Sequence, residues 1–291
     1  RVRAIDNAGN AGENAQIYFR VDTIKPAPPT AVWPVQAKTN DNTPLLQWSP
    51  PPENSLPLRY YVWVLDEDLT IVRQGPQNYP GPGMLENFWE VTPALVDGEY
   101  YWTVAAIDNA GNVGDNCGNK WFRVDIKKPA VPIMRWPADG ENINDNTPTL
   151  DWDPATLGGL PLQYDGSIEY STPLRYKVWI ARDVNFTDIV METDWITNDY
   201  LEVTPELQDN VYYWKVSARD DAGNIGDNTA ARSFRVDTLP PENVFLISPE
   251  NNQLVASTPL LDWNPAVDNS LPVVYRVVVS VYENFQENIR D

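Results

Sequence analysis

One stretch recurs three times with few changes, and that recurrence limits the fold more than any other feature of the chain. Tyr212–Thr238 reads YYWKVSARDDAGNIGDNTAARSFRVDT, Tyr101–Ile126 reads YWTVAAIDNAGNVGDNCGNKWFRVDI, and Arg1–Thr23 reads RVRAIDNAGNAGENAQIYFRVDT. Each copy has an aromatic and apolar residue at every second position, then a loop rich in Asp, Asn and Gly, then a short run ending in Val-Asp. Alternation of that kind puts one face of a strand against a core, so each copy reads as strand, loop, strand.

The segments that precede the hairpin repeat as well. Trp48, Trp152 and Trp263 head LLQWSP, TLDWDP and LLDWNP at spacings of 104 and 111 residues, a length that can bury its own core. The expected organisation is 1–25 as the closing remnant of a β-sandwich, 26–126 and 127–238 as full sandwiches, and 239–291 as the opening part of a further one. Inward positions are Leu46 and Trp48, then Tyr60, Val62 and Val64, then Tyr100, Trp102, Val104 and Ala106, with Val273–Ser280 the matching opening strand of the last repeat. Prolines punctuate the boundaries in Ile24–Pro29, Lys127–Pro132 and Leu239–Val244, which read as short, semi-rigid connectors. Trp48 to Tyr60 spans 12 residues and Trp152 to Tyr176 spans 24, so the loop 157–171 is about twelve residues longer than its counterpart near Asn54. Long loops on a rigid sandwich are where function concentrates.

The order TPxLxW, LRYxVW, LEVTP-L-DG-YYWxVxAxDxAGN, FRVDTxxP resembles the fibronectin type III and related immunoglobulin-like repeats of large prokaryotic surface proteins, over essentially the whole chain. The resemblance implies an all-β chain of tandem antiparallel β-sandwiches, two complete and two partial, with Tyr100 and Tyr212 as tyrosine-corner residues. It implies an extracellular or cell-surface location. It says little about activity, because such domains serve as spacers, adhesins, polymerising subunits and accessory modules.

Composition narrows the chemistry. With 41 acidic and 21 basic residues the formal net charge is −20, which argues against a nucleic acid or an anionic membrane as partner. The chain has no His and one Cys, Cys117, so an imidazole base, the common zinc ligand set and an internal disulfide are excluded. No apolar run reaches membrane-spanning length. There is no GxSxG and no Gly-rich phosphate loop, and the repeated loops differ too little to mark one catalytic site, so no enzyme is expected.

Two sets of residues are candidates for interaction. The loops Asp6–Asn14, Asp108–Asn116 and Asp220–Asn228 read either as tight turns closed by the Asp side chain or as calcium sites, since carboxylates and carbonyls are what a hard cation takes. The spacing does not match an EF-hand. The strand order of such a sandwich would bring the Asp of Val-Asp to the hairpin loop of the following repeat and to its longer loop, near Asn54 or at 157–171; the residues nominated as metal ligands are Asp22, Asp108, Asp115, Asp125, Asp220, Asp227 and Asp237. Trp63 and Trp179 fall out of phase with the core and should face outward, to stack on a sugar, to pack on a neighbouring chain, or to lie under a loop of their own domain.

The reading that follows is a non-enzymatic structural segment of a fibre, filament, surface layer or stalk, with self-association into a polymer or lattice and calcium as the suspected cofactor. The alternatives are an adhesin or carbohydrate-binding region with a glycan partner, and spacer domains of a secreted hydrolase. The partial ends read either as a stretch cut from a longer array or as sandwiches completed by strand addition from another chain.

Overall fold

The computed structural model describes all residues except 53–55, 78–80, 158–159, 164, 170 and 281–291. Among the described residues every regular element is a strand, and no helix is long and apolar enough to cross a membrane. The chain forms two compact units, 1–129 with 169–174 and 219–225, and 130–168 with 175–218 and 226–291.

In the first unit the strands are β1 (Thr30–Trp33), β2 (Ala37–Thr39), β3 (Leu45–Ser49), β4 (Arg59–Leu65), β5 (Ile71–Gly75), β6 (Phe88–Glu90), β7 (Gly98–Ile107), β8 (Val113–Asn116) and β9 (Lys120–Val124). One sheet has the order β1-β3-β6; the other runs β2-β9-β7-β4-β5, with β8 also on β7. All pairings are antiparallel except β2 on β9, where Ala37 faces Phe122 and Thr39 faces Val124 in parallel. The alternation seen in the sequence sets which side chains meet. Leu46, Trp48, Tyr60, Val62, Val64, Trp102, Val104 and Ala106 are all buried between the sheets. Trp48 packs on Tyr60 edge to face at 5.3 Å and on Trp102 at 6.4 Å. The Trp102 indole donates to the Pro34 carbonyl at 2.6 Å, which satisfies the one polar atom that this ring brings inside.

The second unit repeats this with β10 (Ile133–Trp136), β11 (Glu141–Ile143), β12 (Thr149–Asp153), β13 (Thr156–Leu157), β14 (Leu160–Pro161), β15 (Arg175–Ala181), β16 (Ile189–Glu192), β17 (Tyr200–Glu202), β18 (Asn210–Arg219) and β19 (Arg232–Val236). Its sheets are β10-β12-β17 and β11-β19-β18-β15-β16. Trp152 meets Tyr176 at 5.6 Å and Trp214 at 6.4 Å, close to the distances in the first unit. Tyr100 stacks on Phe122 and Tyr212 on Phe234, each at 5.7 Å and 30°. Their hydroxyls donate to the Val96 and Gln208 carbonyls at 3.0 and 2.9 Å, four residues upstream in both cases. A three-stranded sheet against a sheet holding the long hairpin, with a tyrosine corner at its start, is the fibronectin III and immunoglobulin-like arrangement.

Two expectations of regular structure are not met. The segment 1–23 forms only the bridges Val2 to Ala15 and Ile5 to Ala11, and Ile17, Tyr18 and Phe19 stay more than four-fifths exposed. After β20 (Leu246–Ser248) and β21 (Asp262–Trp263), the stretch 273–280 has no strand. Its counterparts β4 and β15 are each hydrogen-bonded on both edges, and the described residues after 263 include no strand to pair with it. The long loop is not structureless. Beyond the β13–β14 hairpin, Leu162 bridges Ile168 and the Gln163 amide donates to the Ser167 carbonyl at 2.8 Å.

The repeated core makes two energetic expectations. Trp214→Ala should cost about 3–5 kcal/mol of unfolding free energy, as for other fully buried aromatic truncations. Tyr212→Phe, which removes only the corner hydrogen bond, should cost about 1 kcal/mol. Denaturant unfolding followed by tryptophan fluorescence measures both, and a Tyr212→Phe protein as stable as the parent would show the corner bond to be neutral.

Candidate functional site

The repeated loop closes on itself before it does anything else. Asp220 accepts the amides of Gly223 and Asn224 on Oδ1 at 2.7 and 2.8 Å, and the Asn224 side-chain amide on Oδ2 at 2.8 Å. Asp108 and Asp6 hold Asn112 and Asn10 in the same way. The turn needs a left-handed residue at its fourth position, and Gly9, Gly111 and Gly223 supply it with φ of +89°, +92° and +103°.

What the loop presents outward is the asparagine amide. One Nδ2 proton is held by the loop's own Asp; the other reaches a main-chain carbonyl about 90 or more residues earlier. Asn112 donates to the Asp22 carbonyl at 3.0 Å and Asn224 to the Asp125 carbonyl at 2.7 Å. Both pairs lie within the first unit.

Around Asp125 the first unit gathers a buried acidic group. Its carboxylate accepts the Ser171 hydroxyl on Oδ2 at 2.5 Å and the Lys127 amide on Oδ1 at 3.2 Å. The Ser171 amide donates to Glu169 Oε1 at 2.6 Å, and the Ser171 carbonyl accepts the Asp221 amide at 2.6 Å. Glu169 Oε2 is buried and has no hydrogen-bond partner. One carboxylate oxygen from each of Asp125, Glu169 and Asp220 lies within 4.8 Å of the other two, and the three residues are 1–2% exposed. Lys38 of β2 stands beside the group, with Nζ 2.7 Å from the Thr172 carbonyl and 3.8 Å from Asp221 Oδ2.

Like charges so placed repel by roughly 3 kcal/mol per pair at an effective dielectric constant of about 20. Burial, and then the charges of Asp125 and Asp220, push the Glu169 carboxyl up to about 7. Burial and the Asp125 charge also raise Asp220. Asp6, in the same loop sequence, is lowered chiefly by its bonds to Asn10. At Asp108 burial is the largest single influence, yet the bonds to Asn112 and neighbouring amides together outweigh it and lower the carboxyl. Near neutral pH the three oxygens therefore call for a shared proton or a cation among them.

Of the residues nominated from sequence, Asp125 and Asp220 come together here. Asp237 sits in the second unit, where its Oδ2 accepts the Ser270 hydroxyl at 2.5 Å. Asp22 offers its carbonyl to Asn112 and its carboxylate to the Ile24 amide at 3.1 Å, and Asp108 is buried within its own loop. Asp115 is exposed beside Lys25 at 3.5 Å, and Asp227 is exposed. Sequence reasoning brought the loop 157–171 to this place but did not single out Glu169 within it. A readable signal existed: an acidic residue, any residue, Ser, any residue, Pro recurs at Glu53–Pro57, Glu169–Pro173 and Asp268–Pro272. Residues 53–55, including Asn54, lie outside the described residues. Trp63 is half-buried against Tyr61 at 6.0 Å, and Trp179 is half-buried with Lys177 and Lys215 over its ring, each at 5.4 Å.

No family model and no curated protein matches the chain. Among solved structures, the FN1–FN3 domains of chicken CNTN1 are similar at a TM-score of 0.42 and 14% identity, covering 80% of this chain and 76% of that one. The fibronectin(III)-like modules of Clostridium thermocellum CbhA give 0.41 and 13%, covering 72% and 93%. The sandwiches here are fibronectin III-like in strand order and tyrosine corner. At these identities neither protein assigns a role to any residue of the chain.

One loop sequence in three surroundings gives a direct check. In calcium-free buffer, a carbon-13 titration of the aspartate carboxyls should place Asp6 and Asp108 below the ordinary aspartate range and Asp220 above it. Equal midpoints for Asp108 and Asp220 would mean that neither burial nor the Asp125 charge raises Asp220.

Proposed function

We propose that this chain is a non-enzymatic structural or spacer segment of an extracellular repeat protein, such as a fibre, surface layer or stalk. The observation that carries the reading is how the residues before each repeat are held by that repeat's closing hairpin. In the first unit Asn112 holds the Asp22 carbonyl, and a Cβ at Gly114 would come within 2.4 Å of the Pro26 carbonyl oxygen, so backbone lies directly against backbone there. Asn224 holds the Asp125 carbonyl with the same geometry. A proline-rich connector held at a fixed register by a conserved loop geometry suits a chain whose job is spacing.

The outward tryptophans support the same reading over a glycan platform. A sugar stacks on an open aromatic face, whereas Trp179 carries two lysine side chains over its ring and Trp63 leans on Tyr61.

The test uses limited proteolysis of the whole chain. Gly114→Ala and Asn112→Ala should each speed cleavage within 24–29 several-fold while leaving the circular dichroism of the sandwiches unchanged. Cleavage at the parental rate in both variants would remove the basis for a held connector.

A further inference from the structure

The structure assigns a calcium site to the first unit, with Asp125, Glu169 and Asp220 as its carboxylate ligands. Three features of the group point to this ion. Three oxygen atoms within 4.8 Å of one another all lie within about 2.8 Å of a common centre, a small inward adjustment from the 2.3–2.6 Å of calcium to oxygen bonds. Every donor is an oxygen, with neither His nor thiolate nearby, which suits a hard cation and not zinc or copper. Beyond the clustering, Glu169, which brings one carboxylate oxygen to this group, has its Oε2 buried without a hydrogen bond, while its other oxygen is fixed by the Ser171 amide. A buried anionic oxygen left open, on a side chain already oriented, is a ligand position awaiting a cation.

The arrangement also recurs. In the second unit the Ser270 amide donates to Asp268 Oδ1 at 2.6 Å and the Ser270 hydroxyl to Asp237 Oδ2 at 2.5 Å. Ser171 makes the same two bonds, to Glu169 at 2.6 Å and to Asp125 at 2.5 Å. A serine that ties an acidic residue two positions before it to the Asp of Val-Asp is thus a built device, and it sets two of the three carboxylates side by side. The third carboxylate comes from the loop of the closing hairpin. In sequence the set reads Asp22, Glu53, Ser55 and Asp108 for the earlier repeat. The site does not depend on the spacer reading, since a cation could sit there whatever the chain is for.

The competing occupant is a proton shared between Glu169 and Asp125, and Glu169→Gln separates the two. The amide keeps the size of the side chain and removes one charge. With calcium bound by the parent, equilibrium dialysis at neutral pH should show the variant holding one calcium ion fewer per chain. The parent's melting transition should rise by roughly 5–10 °C at free calcium on the order of 10 mM relative to chelator. In chelator Glu169→Gln should melt at or above the parent, because it relieves repulsion, and its gain from calcium should be smaller than the parent's. Parent melts that coincide with and without calcium would overturn the assignment in favour of the shared proton. So would a variant that binds as many calcium ions as the parent.

Discussion

The structure depends first on a tryptophan pair. In each full sandwich one ring comes from the strand after the connector, Trp48 or Trp152, and the other from the long hairpin strand, Trp102 or Trp214, with centroids 6.4 Å apart in both. These rings belong to opposite sheets, so their contact sets the gap between the sheets, and the neighbouring Tyr60 and Tyr176 fill it edge-on. Burial of surfaces this large fixes the register of both strands, because a slip by one residue would turn the indole to solvent. With the strands pinned, the end of each hairpin strand is pinned too. Asp108 and Asp220 each follow directly on the last residue of such a strand, at Ile107 and Arg219. The position of the loop, and hence of its asparagine, is therefore a consequence of the core.

Most of that was legible in sequence because period-two alternation reports burial locally. Tyr60, Val62 and Val64 announce a face, and nothing distant is needed to read it. The turn reading of the Asp-Asn-Ala-Gly-Asn loop was legible for the same reason, since Asp, the glycine and the asparagine that close it lie within five residues. The candidate site was only half legible. Asp125 and Asp220 carry repeated motifs, but the carboxylate that joins them, Glu169, belongs to a motif two residues before Ser171 whose partner lies 46 positions away. No local pattern encodes that distance. The covering of Trp179 by Lys215 was hidden as well, because Lys215 lies on the neighbouring strand and only sheet pairing brings it over the ring.

Closely similar loops give opposite electrostatic outcomes in this chain, which shows where the −20 charge matters. Asp6, Asp108 and Asp220 share one hydrogen-bond pattern, and in the first two that pattern wins and stabilises the carboxylate. At Asp220 burial and the nearby Asp125 reverse the result. An exposed acidic surface spreads its charges in water, where salt screens them. Three carboxylates that are almost wholly buried have no such relief, and Lys38, the cation beside them, is engaged with the Thr172 carbonyl and Asp221. Among the described residues, the cluster of three carboxylates falls at this one place.

The longer loop shows what the fold holds constant. Residues 156–168 add a β-hairpin and a further bridge that have no counterpart among the described residues of the first sandwich, yet the chain returns to the acidic residue, the serine and the proline before entering β15. An insertion that drifted by one residue would have put Tyr170 or Thr172 in the sequence position where Ser171 ties Glu169 to Asp125. Because Ser171 uses both its amide and its hydroxyl, neither a shift nor a substitution by a residue without a hydroxyl keeps both bonds. The same two bonds at Ser270, in a loop of ordinary length, show that the serine and not the loop length is what the arrangement requires.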